Sequence, residues 1–152
     1  MPQDSLAFLL NDAARLIRRR FDARARALGV SRAQWQVLFA LSRLEGSNQT
    51  ALADHLEVET ITLCRMVDRL EEAGLVERRA DPADRRAWRL FLTDTARPLL
   101  DQLKAVGTDV VEEALAGISD TTRDALADGL TQLRANLSSR PPEARAAAGA
   151  AR

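Results

Sequence analysis

Apolar positions recur along this chain first with a helical period, then with a strand period, then with a helical one again. Leu6, Leu9, Leu10, Ala13, Ile17 and Phe21 fall at three- and four-residue steps, which predicts a helix over 5–28 with one apolar face. Ser5 is placed to cap it and Gly29 to stop it. Ser31 opens a second helix with Trp35, Leu38 and Leu41 on one side, ending near Gly46. Ser47 or Asn48 caps a short third helix through Glu57, its Leu52 and Leu56 facing inward. After a break at 57–59, a fourth runs from about Thr60 to Ala73, with Leu63, Val67 and Leu70 inward and Gly74 as its stop.

At residue 75 the period changes. The run 75–79 reads as a strand, 80–86 as a polar turn containing Pro82, and Trp88, Leu90 and Leu92 alternate with Arg89, Phe91 and Thr93 as a second strand. A hairpin results. A long helix from Thr93 to about Ile118 follows, carrying Leu99, Leu103, Val106 and Val110, with Pro98 tolerable near its start and Gly117 as its stop. Ser119 caps a last helix whose Leu126, Leu130, Leu133 and Leu137 form the narrow seam of helix pairing. Residues 138–152 lack apolar periodicity and read as a disordered tail.

Three short helices followed by a hairpin are the order of a winged helix-turn-helix. The expected fold is mainly α, with a two-stranded wing and flanking helices. Residues 30–93 form the winged unit, and 1–29 with 94–137 form a helical dimerisation region, because their leucine stripes lie outside the winged core. In such a fold the second helix of the pair enters the major groove of DNA, so its outer face must be polar. Thr62, Arg65 and Arg69 stand at i, i+3 and i+7, opposite the inward leucines, and Thr60 sits in the first turn. The arginine fork matches the O6/N7 edge of guanine. The other reading of the same residues is a solvated face on which Arg65 and Arg69 pair with Asp68 and Glu72. The hairpin tip weighs against it, since Arg85 and Arg86 place charge where a fold needs only a turn, and an arginine there can enter a narrow minor groove.

Composition adds exclusions. With 46% hydrophobic and 29% charged residues, the chain is globular rather than wholly disordered. The net charge is zero, 22 basic against 22 acidic residues, which by itself hides a DNA partner. The neutrality masks a division. Arg78, Arg79, Arg85, Arg86 and Arg89 put five positive charges in twelve residues, whereas 94–128 holds eight acids against Arg97, Lys104 and Arg123. One cysteine and one histidine exclude a disulfide framework and argue against a zinc cage. An enzyme reading lacks inventory: there is no Tyr, no glycine-rich phosphate loop and no paired carboxylates at a cleft. No apolar run approaches a membrane span, and the N-terminus lacks the basic region of a signal peptide, so a soluble cytoplasmic protein without cofactor or metal is expected.

Residues 52–93 resemble the core of the MarR/SlyA family of bacterial transcription regulators. The likeness is carried by Leu52-Ala53, by 65–71 (RMVDRLE), by Gly74-Leu75-Val76, by Asp84-Arg85-Arg86 and by Leu92-Thr93. With the flanking long helices it spans roughly 5–137. The resemblance implies a homodimer on pseudo-palindromic duplex DNA, acting as a repressor relieved by a small phenolic or aromatic anion. It further implies that Thr60, Thr62 and Arg65 contact the major groove, that Gln49 and Thr50 meet phosphates, that Arg86 enters the minor groove, and that Asp84 holds the wing by ion pairing. Trp35 and Phe39, one turn apart, are candidates for the ligand crevice, although plain core packing accounts for them too. Ile61 departs from the small polar residue many relatives carry, and either packs inward or touches a thymine methyl.

Two other functions fit the residues less well. One is a thiol-based redox sensor through Cys64, which as a lone cysteine reads more simply as a small apolar residue. The other is a helical dimeric adaptor using the winged fold for protein contacts, which has no need of Arg85 and Arg86 at an exposed tip. His55, beside Asp54, reads as a polar surface residue.

Overall fold

The computed structural model describes residues 5–138, so the expected disordered tail over 138–152 lies, Ser138 aside, outside the described residues. Within them are six helices and one two-stranded antiparallel sheet: α1 Leu6–Ala27, α2 Arg32–Arg43, α3 Gln49–Leu56, α4 Thr60–Glu72, β1 Val76–Ala80, β2 Trp88–Leu92, α5 Ala96–Ala114 and α6 Asp120–Ser138. This is the winged helix-turn-helix order, mainly α. The described residues form two compact units that divide between Glu112 and Glu113. No helix among the described residues is long and apolar enough to cross a membrane.

The first unit is nucleated by caps that the sequence carries openly. Ser5 accepts from the Phe8 amide, and Ser31 and Gln34 form a reciprocal capping box at the start of α2. Of the two candidates before α3, Asn48 is the cap, its Oδ1 accepting from Ala51 N at 2.7 Å. The core that these helices enclose is aliphatic: Leu38, Leu41, Leu52, Leu63, Leu70 and Leu90 are each 0% exposed. Phe21 and Ala25 of α1 and Leu100 and Leu103 of α5 belong to the same cluster, so the helices flanking the winged segment help to build its core.

One acid is buried in that core. Asp22 of α1 accepts from Arg32 Nε at 2.7 Å and from the Trp35 indole N–H at 2.8 Å, which ties α1 to α2. Burial alone would raise its carboxyl pKa. The hydrogen bonds from Arg32 and Trp35, with the charges of Arg32 and Arg26, outweigh burial and hold it below the ordinary value. Trp35 also packs edge-on against Phe21 and Phe39, with ring centroids 4.9 and 6.0 Å apart.

The sheet pairs Val76 with Leu92 and Ala80 with Trp88. Residues 46–48 run along the free edge of β2: Gly46 N donates to Leu90 O, Leu90 N to Ser47 O, and Asn48 bridges to Arg89. Gly46 sits at φ +83°, a left-handed backbone conformation that favours glycine, while the Phe91 ring lies only at ordinary contact distance from where a Cβ would be. Of the three alternating residues on β2, Leu90 and Leu92 are buried. Trp88, on the rung nearest the tip, is instead 46% exposed.

α5 begins three residues later than the apolar pattern suggests. Thr93 is committed to the sheet, its amide donating to Leu75 O and its hydroxyl to Gly74 O at 2.6 Å, and Ala96 N turns back to Thr93 O. The second unit contains α6, capped by Ser119, whose Oγ accepts from Thr122 N. None of its residues is buried, and Leu126, Leu130 and Leu137 are exposed.

Candidate nucleic-acid interface

The turn between α3 and α4 is tight and made without glycine. Glu57 takes the left-handed conformation at φ 55°, and Val58 N closes the turn on Ala53 O at 3.0 Å. That turn sets α4 with Leu63, Val67 and Leu70 fully buried and Thr60, Thr62, Arg65 and Arg69 exposed. Ile61 does not pack inward: it is 66% exposed. Arg65 and Arg69 form no ion pair among the described residues, so the pairing with Asp68 and Glu72 in the solvated-face reading is not present.

Asp68 is engaged elsewhere. Arg78 of β1 reaches across to α4 and α3, its side chain 18% exposed. Its guanidinium pairs with Asp68 at 2.6 Å and Glu71 at 2.8 Å, and donates to the Cys64 carbonyl at 3.2 Å and to Gln49 Oε1 at 3.0 Å. Burial would lower the pKa of this guanidinium, yet Asp68 and Glu71 raise it above its ordinary value. One side chain thus clips three elements together. From the sequence alone Arg78 counts only as wing charge, and the clip does not show. A strand that starts so soon after α4 must fold back on it, and Asp68 and Glu71 at i and i+3 were the available signal.

The wing tip is built from short-range bonds. Asp81 accepts from Ala83 N at 2.8 Å and from Arg89 Nε at 3.0 Å, and Asp81 N donates to Ala87 O. The Ala83 amide and then Arg89 hold the Asp81 carboxyl below its usual pKa. Asp84 was expected to hold the wing by an ion pair. It does so instead through the backbone, accepting from Arg86 N at 2.9 Å, and the ion pair belongs to Asp81 and Arg89. Arg79 pairs with Glu77 and lies 4.0 Å over the Phe91 ring. Arg85 and Arg86 are exposed and form no ion pair among the described residues. Of five wing arginines, these two present free charge.

The remaining candidates are spread around this surface. Thr50 is exposed at the start of α3, while Gln49 is half-buried with its carbonyl on Arg78. Cys64 is a half-buried free thiol, and His55 is exposed on α3. Trp35 and Phe39 are half-buried against the core, and the Trp35 indole N–H is taken by Asp22.

An outward polar helix beside a basic hairpin is the architecture of a winged helix regulator, and comparison with known proteins agrees. The sequence model of the MarR family matches residues 28–87. The transcriptional regulator PA3341 is 36% identical over 90% of this chain and 100% of its own, with a TM-score of 0.75. A MarR-family transcriptional regulator from Silicibacter pomeroyi is 30% identical over 86% of this chain and 88% of its own, with a TM-score of 0.71. Wild-type MarR from E. coli, at 24% identity over 88% of this chain and 98% of its own, shares the fold with a TM-score of 0.81. The chain belongs to the MarR family of transcriptional regulators.

Proposed function

We propose that the protein acts as a homodimer that binds pseudo-palindromic duplex DNA in the cytoplasm and represses transcription by occupying its site. The observation that carries this reading is the distribution of free charge. Arg65 and Arg69 on α4 and Arg85 and Arg86 on the wing are exposed without carboxylate partners, whereas Arg78, Arg79 and Arg89 are neutralised by Asp68, Glu71, Glu77 and Asp81. Thr60, Thr62 and Arg65 then meet base edges, and Arg69, Gln49 and Thr50 meet the backbone that fixes the register. Arg86 enters the minor groove, with Asp84 shaping the turn that presents it.

The dimer is supported by apolar surface that the single chain leaves open. Leu6, Phe8, Leu9, Leu16 and Ile17 of α1 are exposed, as are Leu126, Leu130 and Leu137 of α6. A second copy related by a twofold axis would cover both stripes and would present two recognition helices to half-sites about ten base pairs apart. Relief of repression by a small aromatic anion beside Trp35 and Phe39 completes the proposal. A ligand there would press on the Trp35–Asp22 contact that joins α1 to α2.

The test is selection of duplexes from a random pool, followed by gel shift on the enriched sequence with one or both half-sites scrambled. Two half-sites should be needed for tight binding. Full affinity for one isolated half-site would refute the dimeric mode. Failure to enrich any duplex would favour an adaptor that uses the same fold for protein contacts.

A further inference from the structure

The inner face of α4 is filled, and Ile61 has no place on it. At 3.6 residues per turn Ile61 points away from Leu63 and Leu70, and it stands one turn before Arg65 on nearly the same line. Its neighbours along the outward face of α4, Thr60, Thr62 and Arg65, are exposed and polar, so it continues no apolar stripe on that helix face. Single exposed apolar side chains are ordinary on protein surfaces. What distinguishes this one is its position, in the first turn of the outward face, between two threonines and an uncompensated arginine.

Along the major-groove edge of a base pair, the apolar feature is the C5-methyl group of thymine. Resting on the reading of α4 as the recognition helix, we propose that Ile61 is a specificity-determining residue that reads thymine by covering this methyl group. The attraction is the removal of two apolar surfaces from water. Cytosine at the same position offers a hydrogen in place of the methyl and an amino donor in place of the O4 acceptor, so the contact is lost. The geometry also places the base. Four residues of helix rise about 6 Å, and successive base pairs about 3.4 Å. The thymine therefore lies one or two base steps from the pair that Arg65 reads.

The experiment uses the full chain and a duplex enriched from a random pool. Each thymine is replaced in turn by deoxyuridine, in both half-sites together, which deletes the methyl and nothing else. The wild type should weaken about fourfold per half-site at one symmetry-related thymine, the effect of exposing one methyl group. That thymine should lie within two steps of the base pair whose identity Arg65→Ala no longer distinguishes. Ile61→Ala should bind the thymine and deoxyuridine duplexes equally, and Ile61→Val should keep most of the difference. Both substitutions are at the surface, and unchanged thermal unfolding confirms intact folds. If every deoxyuridine duplex binds as its parent does, or if Ile61→Ala keeps the methyl dependence, the inference is overturned while the DNA reading stands. If no duplex is enriched, or if Arg65→Ala binds the enriched one as the wild type does, the recognition-helix reading falls and takes this inference with it.

Discussion

α4 and α6 carry the same kind of sequence, a leucine-rich stripe at three- and four-residue steps, and finish in opposite situations. In α4 the stripe has vanished into the core, with Leu63, Val67 and Leu70 at 0% exposure. In α6 no residue is buried, and Leu137 is 67% exposed. Periodicity reports which face of a helix is apolar, and it is silent on whether the same chain covers that face. The faces left outside differ in kind. α4 presents threonines and arginines, suited to phosphates and base edges, whereas α6 presents leucines, suited to another protein surface.

The largest effect should come from breaking the open stripe. Leu130→Asp places a charge where the proposed second copy packs, and the variant should lose the dimer and aggregate or unfold, read by light scattering at micromolar concentration. A folded, monodisperse monomer in the wild type would remove the reason for the contrast between the two helices. On the closed stripe, Leu63→Ala should leave a cavity and cost about 2–5 kcal/mol in chemical denaturation. A smaller loss would mean that the core under α4 relaxes readily.

The polar face sharpens the contrast further. Arg65→Ala should cost about 1–3 kcal/mol on the enriched duplex and little on a scrambled one, because a base contact is lost. Arg86→Ala should weaken both duplexes alike, since the wing contacts carry little base information. Equal behaviour of the two variants in a paired gel shift would show that α4 does not read sequence. The smallest effect lies in the turn that aims α4. Glu57→Gly relieves a left-handed residue and should stabilise the fold by about 0.5–1 kcal/mol, net of the flexibility glycine adds to the unfolded chain. DNA affinity should stay the same, and a loss of affinity would show that the Glu57 side chain itself serves the interface.

Much of this architecture is legible in the chain because its signals are local. Ser5, Ser31, Gly29, Gly74 and Gly117 mark helix ends within a turn of where the structure has them, and the change of period at residue 75 marks the wing. What escapes is set by partners distant in sequence. Arg78 meets Asp68, Glu71 and Gln49 only once β1 has folded onto α4 and α3, and Asp22 meets Trp35 across the α1–α2 turn. The edge pairing of 46–48 with β2 spans more than forty residues and leaves no periodic trace beyond one glycine. The candidate site follows the same rule. The exposed arginines of α4 follow from helical spacing, but which wing arginines are free follows only from knowing where each carboxylate lies.

That division of the wing charges has a thermodynamic consequence. Cations already matched to Asp68, Glu71, Glu77 and Asp81 displace few counterions when they approach a phosphate, whereas Arg85 and Arg86 displace their full share. Each neutralised phosphate contributes about 0.9 to the slope of log affinity against log salt on duplex DNA. Five free arginines on each of two wings would contribute about 9, and two on each contribute about 3.6. In the proposed complex the wings therefore grip DNA with modest ionic-strength dependence, and the neutralised arginines serve to keep the hairpin rigid while it does so.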